Sequence, residues 1–139
     1  MEDLEQAKAI LESEGCTCVL CGDGQVYKSD RRGVAPLLEL LDSGPAVAGF
    51  SAADRVVGKA TAFLYCLLGV KQIYAGVMSE PAQKVLDEAH ISHSCGQLVP
   101  GIRNRQKNGP CPMEHATGDC TTPEQALAAI RETLKLLKK

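Results

Sequence analysis

Apolar residues recur at helical spacing in residues 3–14, where Leu4, Ala7, Ile10 and Leu11 share a face behind an acidic first turn. Gly15 is a natural stop. The runs Thr17–Cys21 and Gln25–Lys28 flank Gly22-Asp23-Gly24, which predicts a β-hairpin. A short leucine-rich helix is expected over 34–43, ending at Gly44-Pro45, and a short strand over 46–50. Ser51-Ala52-Ala53-Asp54 has the form of a capping box, with Asp where Glu or Gln is usual. It predicts a helix running to Leu68, apolar nearly all round and therefore central, with Gly69 as its stop. Gln72–Met78 reads as a buried strand, Ser79-Glu80-Pro81 opens a helix through His90, and Ser92–Gln97 is a weaker strand. The proline- and glycine-bearing stretch 98–112 is a loop, with Pro112 suited to the first position of a short helix. Thr122-Pro123-Glu124-Gln125 is a second capping box, opening a terminal helix with Leu127, Ile130, Leu134 and Leu137 on one face. A hairpin followed by strand–helix–strand units predicts an α/β protein. The expected architecture is a three-layer α/β/α sandwich around one mixed sheet, a single domain over 1–139.

Composition narrows the function classes. Fifteen Lys and Arg against seventeen Asp and Glu give a net charge of −2, which argues against a nucleic-acid partner held by counterion release. Aromatic residues are 4% and Trp is absent, so base-stacking platforms are scarce. No apolar run is long enough for a membrane span, and the acidic start Met1-Glu2-Asp3 lacks the features of a signal peptide. The expectation is a cytoplasmic protein without a membrane partner, whose seven cysteines are mostly reduced. A small-molecule ligand and self-association both remain open.

Candidate chemistry gathers in three places. On the expected helix, Arg55 and Lys59 stand four apart near the N-terminal end, beside Asp54 and Gly58. Two cations there add to the positive end of the helix dipole and suit a phosphate or carboxylate. Lys59 is the stronger of the two, because a buried amine needs an anionic partner; pairing with Asp54 or Glu80 is the plainer alternative. Gly58 admits close approach of a ligand or of another backbone. Ser79 and Glu80 open a helix at the carboxyl end of a strand, where α/β proteins dock ligands. In Gly109-Pro110-Cys111-Pro112-Met113-Glu114-His115, Cys111 is the expected N-cap, with Arg103, Asn104 and Arg105 upstream. That setting lowers a thiol pKa, making Cys111 the expected most reactive thiol, with Glu114 and His115 placed for proton transfer. The alternative is a rigid plug with Cys111 as a small hydrophobe. Cys16, Cys18 and Cys21 resemble half a metal site, which Cys111 or Cys120 could complete. Strand alternation would put Cys16 and Cys18 on one side and Cys21 on the other. His90 and His93 flank a helix end.

The run from Asp54 to Met78, "DRVVGKATAFLYCLLGVKQIYAGVM", followed by "SEPAQKVL" and "LVPGIRNRQKNGPCPMEHA", resembles a small prokaryotic family of uncharacterised proteins with a cytidine-deaminase-like fold. The resemblance spans about residues 4–137 and implies a fold and a site location rather than a reaction. Zinc deaminases carry His-x-Glu at the start of one helix and Pro-Cys-x-x-Cys at the start of the next. Here those places hold Asp54–Lys59 and Ser79-Glu80-Pro81-Ala82-Gln83, without His or Cys. The expected function is binding of a small anionic ligand, nucleotide- or base-like, in a cleft at the strand carboxyl ends. Lys59, Cys111 and Glu114 would be its catalytic candidates, and Asp54, Arg55, Gly58, Ser79, Glu80, Asn104 and Arg105 its binding residues. The sequence names no cofactor and leaves open whether the protein is an enzyme. A cysteine-based metal or redox protein and a non-catalytic accessory module are the alternatives. Purified, untagged protein is expected to hold no stoichiometric zinc in a deaminase-type site. One equivalent per chain retained through dialysis, and unaffected by mutating Cys16, Cys18 and Cys21, would overturn that.

Overall fold

The computed structural model describes residues 3–31, 34–42, 44, 46–101 and 112–137. Helix α1 (Asp3–Glu14) precedes a hairpin of β1 (Cys18–Gly22) and β2 (Gln25–Ser29). Then follow α2 (Ala35–Asp42), β3 (Ser51–Val57), α3 (Lys59–Leu68), β4 (Gln72–Ser79), α4 (Glu80–Glu88) and β5 (Ser92–Val99). Helices α5 (Pro112–Thr117) and α6 (Pro123–Leu137) complete the described chain. The sheet order is β2-β1-β3-β4-β5. Strand β1 is antiparallel to both β2 and β3, whereas β3, β4 and β5 run parallel, so the sheet is mixed. The hairpin pairs Gly22 with Gln25, leaving Asp23 and Gly24 as a two-residue turn with φ of 51° and 74°. Two successive left-handed residues match the right-handed twist of the flanking strands, and Asp-Gly is a sequence that tolerates them.

Three layers result. Helix α1 packs against β1, β3 and β4, where Ala7 and Leu11 meet Val19, Cys21 and Ala53. The other face carries the larger core, built by α2, α3, α4 and α6 on Leu20, Ala52, Ile73, Ala75 and Met78. Helix α3 lies at its centre, touching α2, α4, α5 and α6. Among the described residues no helix is long and apolar enough to cross a membrane.

The sequence pattern misassigns two adjacent segments. Residues 51–57, expected as the first turns of the central helix, form the central strand β3. Ser51 is not a cap; it pairs with Gln72 of β4 and Cys21 of β1. The backbone of β3 gains ladder partners on both sides, and that pairing outweighs a local capping motif whose box was already irregular. The helix begins only at Gly58, in extended conformation, and ends at Gly69 with φ 77°. The expected strand at 46–50 is instead a tight connection, with Gly49 at φ 81° and the Phe50 amide bonded to the Val47 carbonyl at 3.0 Å. Strand β5 runs two residues further than the pattern suggested, to Val99.

Arg55 consequently sits on the face opposite its expected partner. Its Nε donates to the Cys16 carbonyl at 2.6 Å and its guanidinium to that of Leu11 at 3.3 Å. It therefore ties the carboxyl end of α1 to β3, where a cation also suits the helix dipole.

The alternation of side chains breaks once, across three strands. Ala52 and Val57 lie in the same core, as do Ala75 and Met78, although an odd number of steps separates each pair. The ladders run Asp54↔Ala75 then Val56↔Val77, and Ala75↔Cys95 then Val77↔Gln97. The skipped residues form one row: Arg55, Gly76 and Gly96. A Cβ on Gly76 would stand 2.8 Å from the Arg55 carbonyl oxygen, and one on Gly96 would stand 3.0 Å from that of Gly76. Gly76→Ala is expected to destabilise the fold by about 1–3 kcal/mol in urea denaturation, since a backbone carbonyl must move. Gly101→Ala, which meets nothing within 4 Å, should change stability little.

Candidate functional site

Parallel strands β3 and β4 deliver the starts of α3 and α4 side by side, and the two starts differ chemically. Ser79 is fully buried, and its Oγ accepts the Ala82 amide at 3.1 Å. Pro81 has no N–H to offer, so α4 begins closed. Helix α3 begins at Gly58, which brings no side chain to the first-turn amides. Those amides have no acceptor within the helix, so the α3 end is the more electropositive of the two.

A cavity of about 170 Å³ lies between these helices. Lys59 and Phe63 line it from α3, Pro81, Lys84, Val85 and Glu88 from α4, and Cys120 and Thr121 from the α5–α6 connection. Lys59 is half-buried; its Nζ donates to the Gly118 carbonyl at 2.9 Å and stands 5.8 Å from the centre of the Phe63 ring. The first residue of α3 thereby holds the α5–α6 connection over the groove.

The structure brings together only part of the expected set. Lys59 lines the groove, Gly58 is buried at its α3 end, and Ser79 acts as the α4 cap. Glu80 is exposed at the first position of α4. Arg55 does not share a helix face with Lys59: a strand places it on the α1 side of the sheet. Arg103, Asn104, Arg105 and Cys111 lie outside the described residues, as do the side chains of Glu114 and His115 on α5. Sequence reasoning overlooked Lys84 and Glu88. The spacing Pro81, Lys84, Val85, Glu88 is one helical stripe, which could have marked them.

Asp54 belongs to a different cluster. Tyr65 of α3 donates its hydroxyl hydrogen to Asp54 Oδ2 at 2.7 Å, and the Val56 amide donates to Oδ1 at 3.3 Å. Cys18 Sγ lies 3.2 Å from the same Tyr65 oxygen. Burial pushes the Asp54 carboxyl up to about 7, against the lowering effect of the Tyr65 hydroxyl and the Val56 and Arg55 amides. Burial first, and then the Asp54 charge, pushes the Tyr65 phenol and the Cys18 thiol well above their ordinary values.

The cysteine trio does not assemble. Cys18 faces Tyr65, while Cys16 and Cys21 both lie in the α1-side cluster, so the expected pairing of Cys16 with Cys18 is wrong. Cys16 precedes β1 and escapes its alternation. Among the described residues no group of three or more His, Cys, Asp or Glu side chains comes together to hold a metal. Among the described residues the donors at the two helix starts are Ser79, already capping α4, and the exposed carboxylate of Glu80. That set does not fit a zinc ion, which needs at least three protein ligands.

The mixed five-stranded sheet with helices on both faces defines an α/β protein whose two central crossovers converge on one groove. The chain belongs to the family described as TM1506, Domain of unknown function (DUF1893), matching it over residues 6–134. It is similar to the crystal structure of a DUF1893 family protein (TM1506) from Thermotoga maritima, at 25% identity and a TM-score of 0.86. That match covers 94% of this chain and 88% of the other. A second similar structure is RibD from Acinetobacter baumannii, at 16% identity and a TM-score of 0.47. It covers 68% of this chain, which spans 35% of that protein. No curated protein matches the chain.

Proposed function

We propose that this protein binds a small anionic molecule, nucleotide- or base-like, in the groove between α3 and α4. One observation carries the reading: Lys59 and Lys84, from neighbouring helices, line a single cavity that runs along α4 from Pro81, just past the carboxyl end of β4, to Glu88. Ligands of open α/β sheets dock at that end of the strands. The uncapped start of α3 adds amide dipoles of the same sign as the lysines. A cavity of about 170 Å³ is smaller than the roughly 300–1,000 Å³ of a drug-sized pocket. It suits an anionic group such as a phosphate, with the remainder of the ligand outside. Glu88, on the α4 side, repels a second anion and favours a ligand that also carries hydrogen-bond donors.

The deaminase-like reading of the fold rests on the resemblance in the sequence, and the zinc deaminases' reaction does not come with it. The role is one of binding, in a reducing cytoplasm.

The test is thermal melting against inorganic phosphate, pyrophosphate, nucleoside monophosphates and free bases. Native-state binding at one hundred times Kd adds about 2.7 kcal/mol, a shift of several degrees. The expected result is a rise with the monophosphates that Lys59→Met and Lys84→Met each reduce at least tenfold in affinity. No shift across the panel, or shifts in both variants as large as those of the wild type, would overturn the proposal and favour a non-catalytic accessory role.

A further inference from the structure

We infer that Asp54, Tyr65 and Cys18 form a proton-responsive clamp between α3 and the sheet, around which the folded state is more stable when the Asp54 carboxyl carries a proton than when it is ionised. Three elements meet in it. Cys18 of β1 and Asp54 of β3 are directly paired across the antiparallel ladder. Tyr65 reaches down from α3 and puts its hydroxyl oxygen 2.7 Å from Asp54 and 3.2 Å from Cys18. Tyr65 is fully buried and Cys18 is 2% exposed, so water does not take part at that end. None of this chemistry is used by the groove, whose lining includes none of the three residues.

The hydrogen inventory allows two states. When Asp54 is ionised, both carboxylate oxygens accept, one from the Val56 amide and one from Tyr65. The only remaining donor to the Tyr65 oxygen is then the Cys18 thiol. When Asp54 is protonated, its O–H can donate to Tyr65, and Tyr65 can donate to the Cys18 sulfur. The chain of donors reverses direction, and every group keeps a partner in both states. What differs is a partly buried negative charge.

Among the described residues no cation offsets that charge. Across β1 it faces the neutral thiol of Cys18, and beyond that Tyr27 of β2, whose phenol feels Cys18. Across β4 it faces Ala75. From α3 it faces Tyr65, and on its own strand the Arg55 guanidinium is turned to the other side of the sheet. Burial is accordingly the dominant influence on Asp54 and raises its pKa to about 7. In an unfolded chain the carboxyl titrates near about 3.9. Between those values the folded state keeps a proton that the unfolded state has released, so stability falls as pH rises and levels off above the folded value. One proton makes the slope at most tenfold in the folding constant per pH unit. Because α3 begins at the groove, the same proton should also alter binding there; that extension rests on the proposed function, whereas the stability measurements do not.

The experiment follows urea denaturation from pH 5 to pH 8.5 in the wild type, Asp54→Asn and Tyr65→Phe, together with the ¹³C carboxyl shift of Asp54 in the wild-type protein. The wild type should lose at least tenfold in folding constant between pH 5 and pH 8 beyond any change in Asp54→Asn, whose amide imitates the protonated acid. Tyr65→Phe removes a bond that favours the carboxylate, so the midpoint of the decline should move to higher pH. Parallel profiles for wild type and Asp54→Asn would overturn the clamp. If Asp54→Asn does not fold, the ¹³C titration decides alone: a midpoint near neutrality supports the clamp, and one near 4 overturns it.

Discussion

The pairing of β3 on both of its edges is the constraint on which the rest of the molecule depends. One edge accepts β1 antiparallel and the other β4 parallel, which makes β3 the seam between the hairpin and the crossover units. Its position also separates two neighbours in the sequence. Asp54 points into the larger core and meets Tyr65, whereas Arg55 points the other way and holds the end of α1. A helix over the same residues would have put Arg55 and Lys59 on one face. The strand instead leaves Lys59 as the first residue of α3 and releases Arg55 to a structural task.

The same seam explains the row of tight backbone contacts. The shift of side-chain phase at Arg55, Gly76 and Gly96 crosses three strands in register, so no single strand can correct it. Glycine at two of those positions lets neighbouring carbonyl oxygens approach where a Cβ would collide. Beyond the row the strands finish at Val57 and Ser79, and the two helices start together. The two starts differ: Gly58 brings no side chain to the first turn of α3, whereas Ser79 caps α4.

Local pattern located most of the elements. The helical spacing of Leu4, Ala7 and Leu11, the Asp-Gly turn, the apolar run of β4, the Ser-x-Pro opening of α4 and the capping box of α6 each depend on neighbours within a few residues. The candidate site was legible in part for the same reason. Lys59 and Ser79 sit at chain positions where a helix starts after a strand, and that is a local property. The stripe that holds Lys84 and Glu88 is visible in the spacing of α4, but only the fold turns it toward α3. Cys120 and Thr121 reach the groove only through the fold, which sets the α5–α6 connection beside it.

The amino-acid sequence by itself determined the class of the protein, the order of its elements and the absence of His and Cys from both helix starts, because composition and short-range periodicity carry that information. Only the tertiary structure decided that residues 51–57 are a strand. Apolar and small residues such as Ala52, Ala53, Val56 and Val57 suit either a buried helix or a buried strand, and ladder partners from β1 and β4 settle the choice. It also decided that Asp54 does not pair with its sequence neighbour Arg55. A carboxylate and a guanidinium adjacent in sequence are expected to lie near one another, but successive residues of a strand point to opposite faces, and the sheet stands between Asp54 and the charge of Arg55.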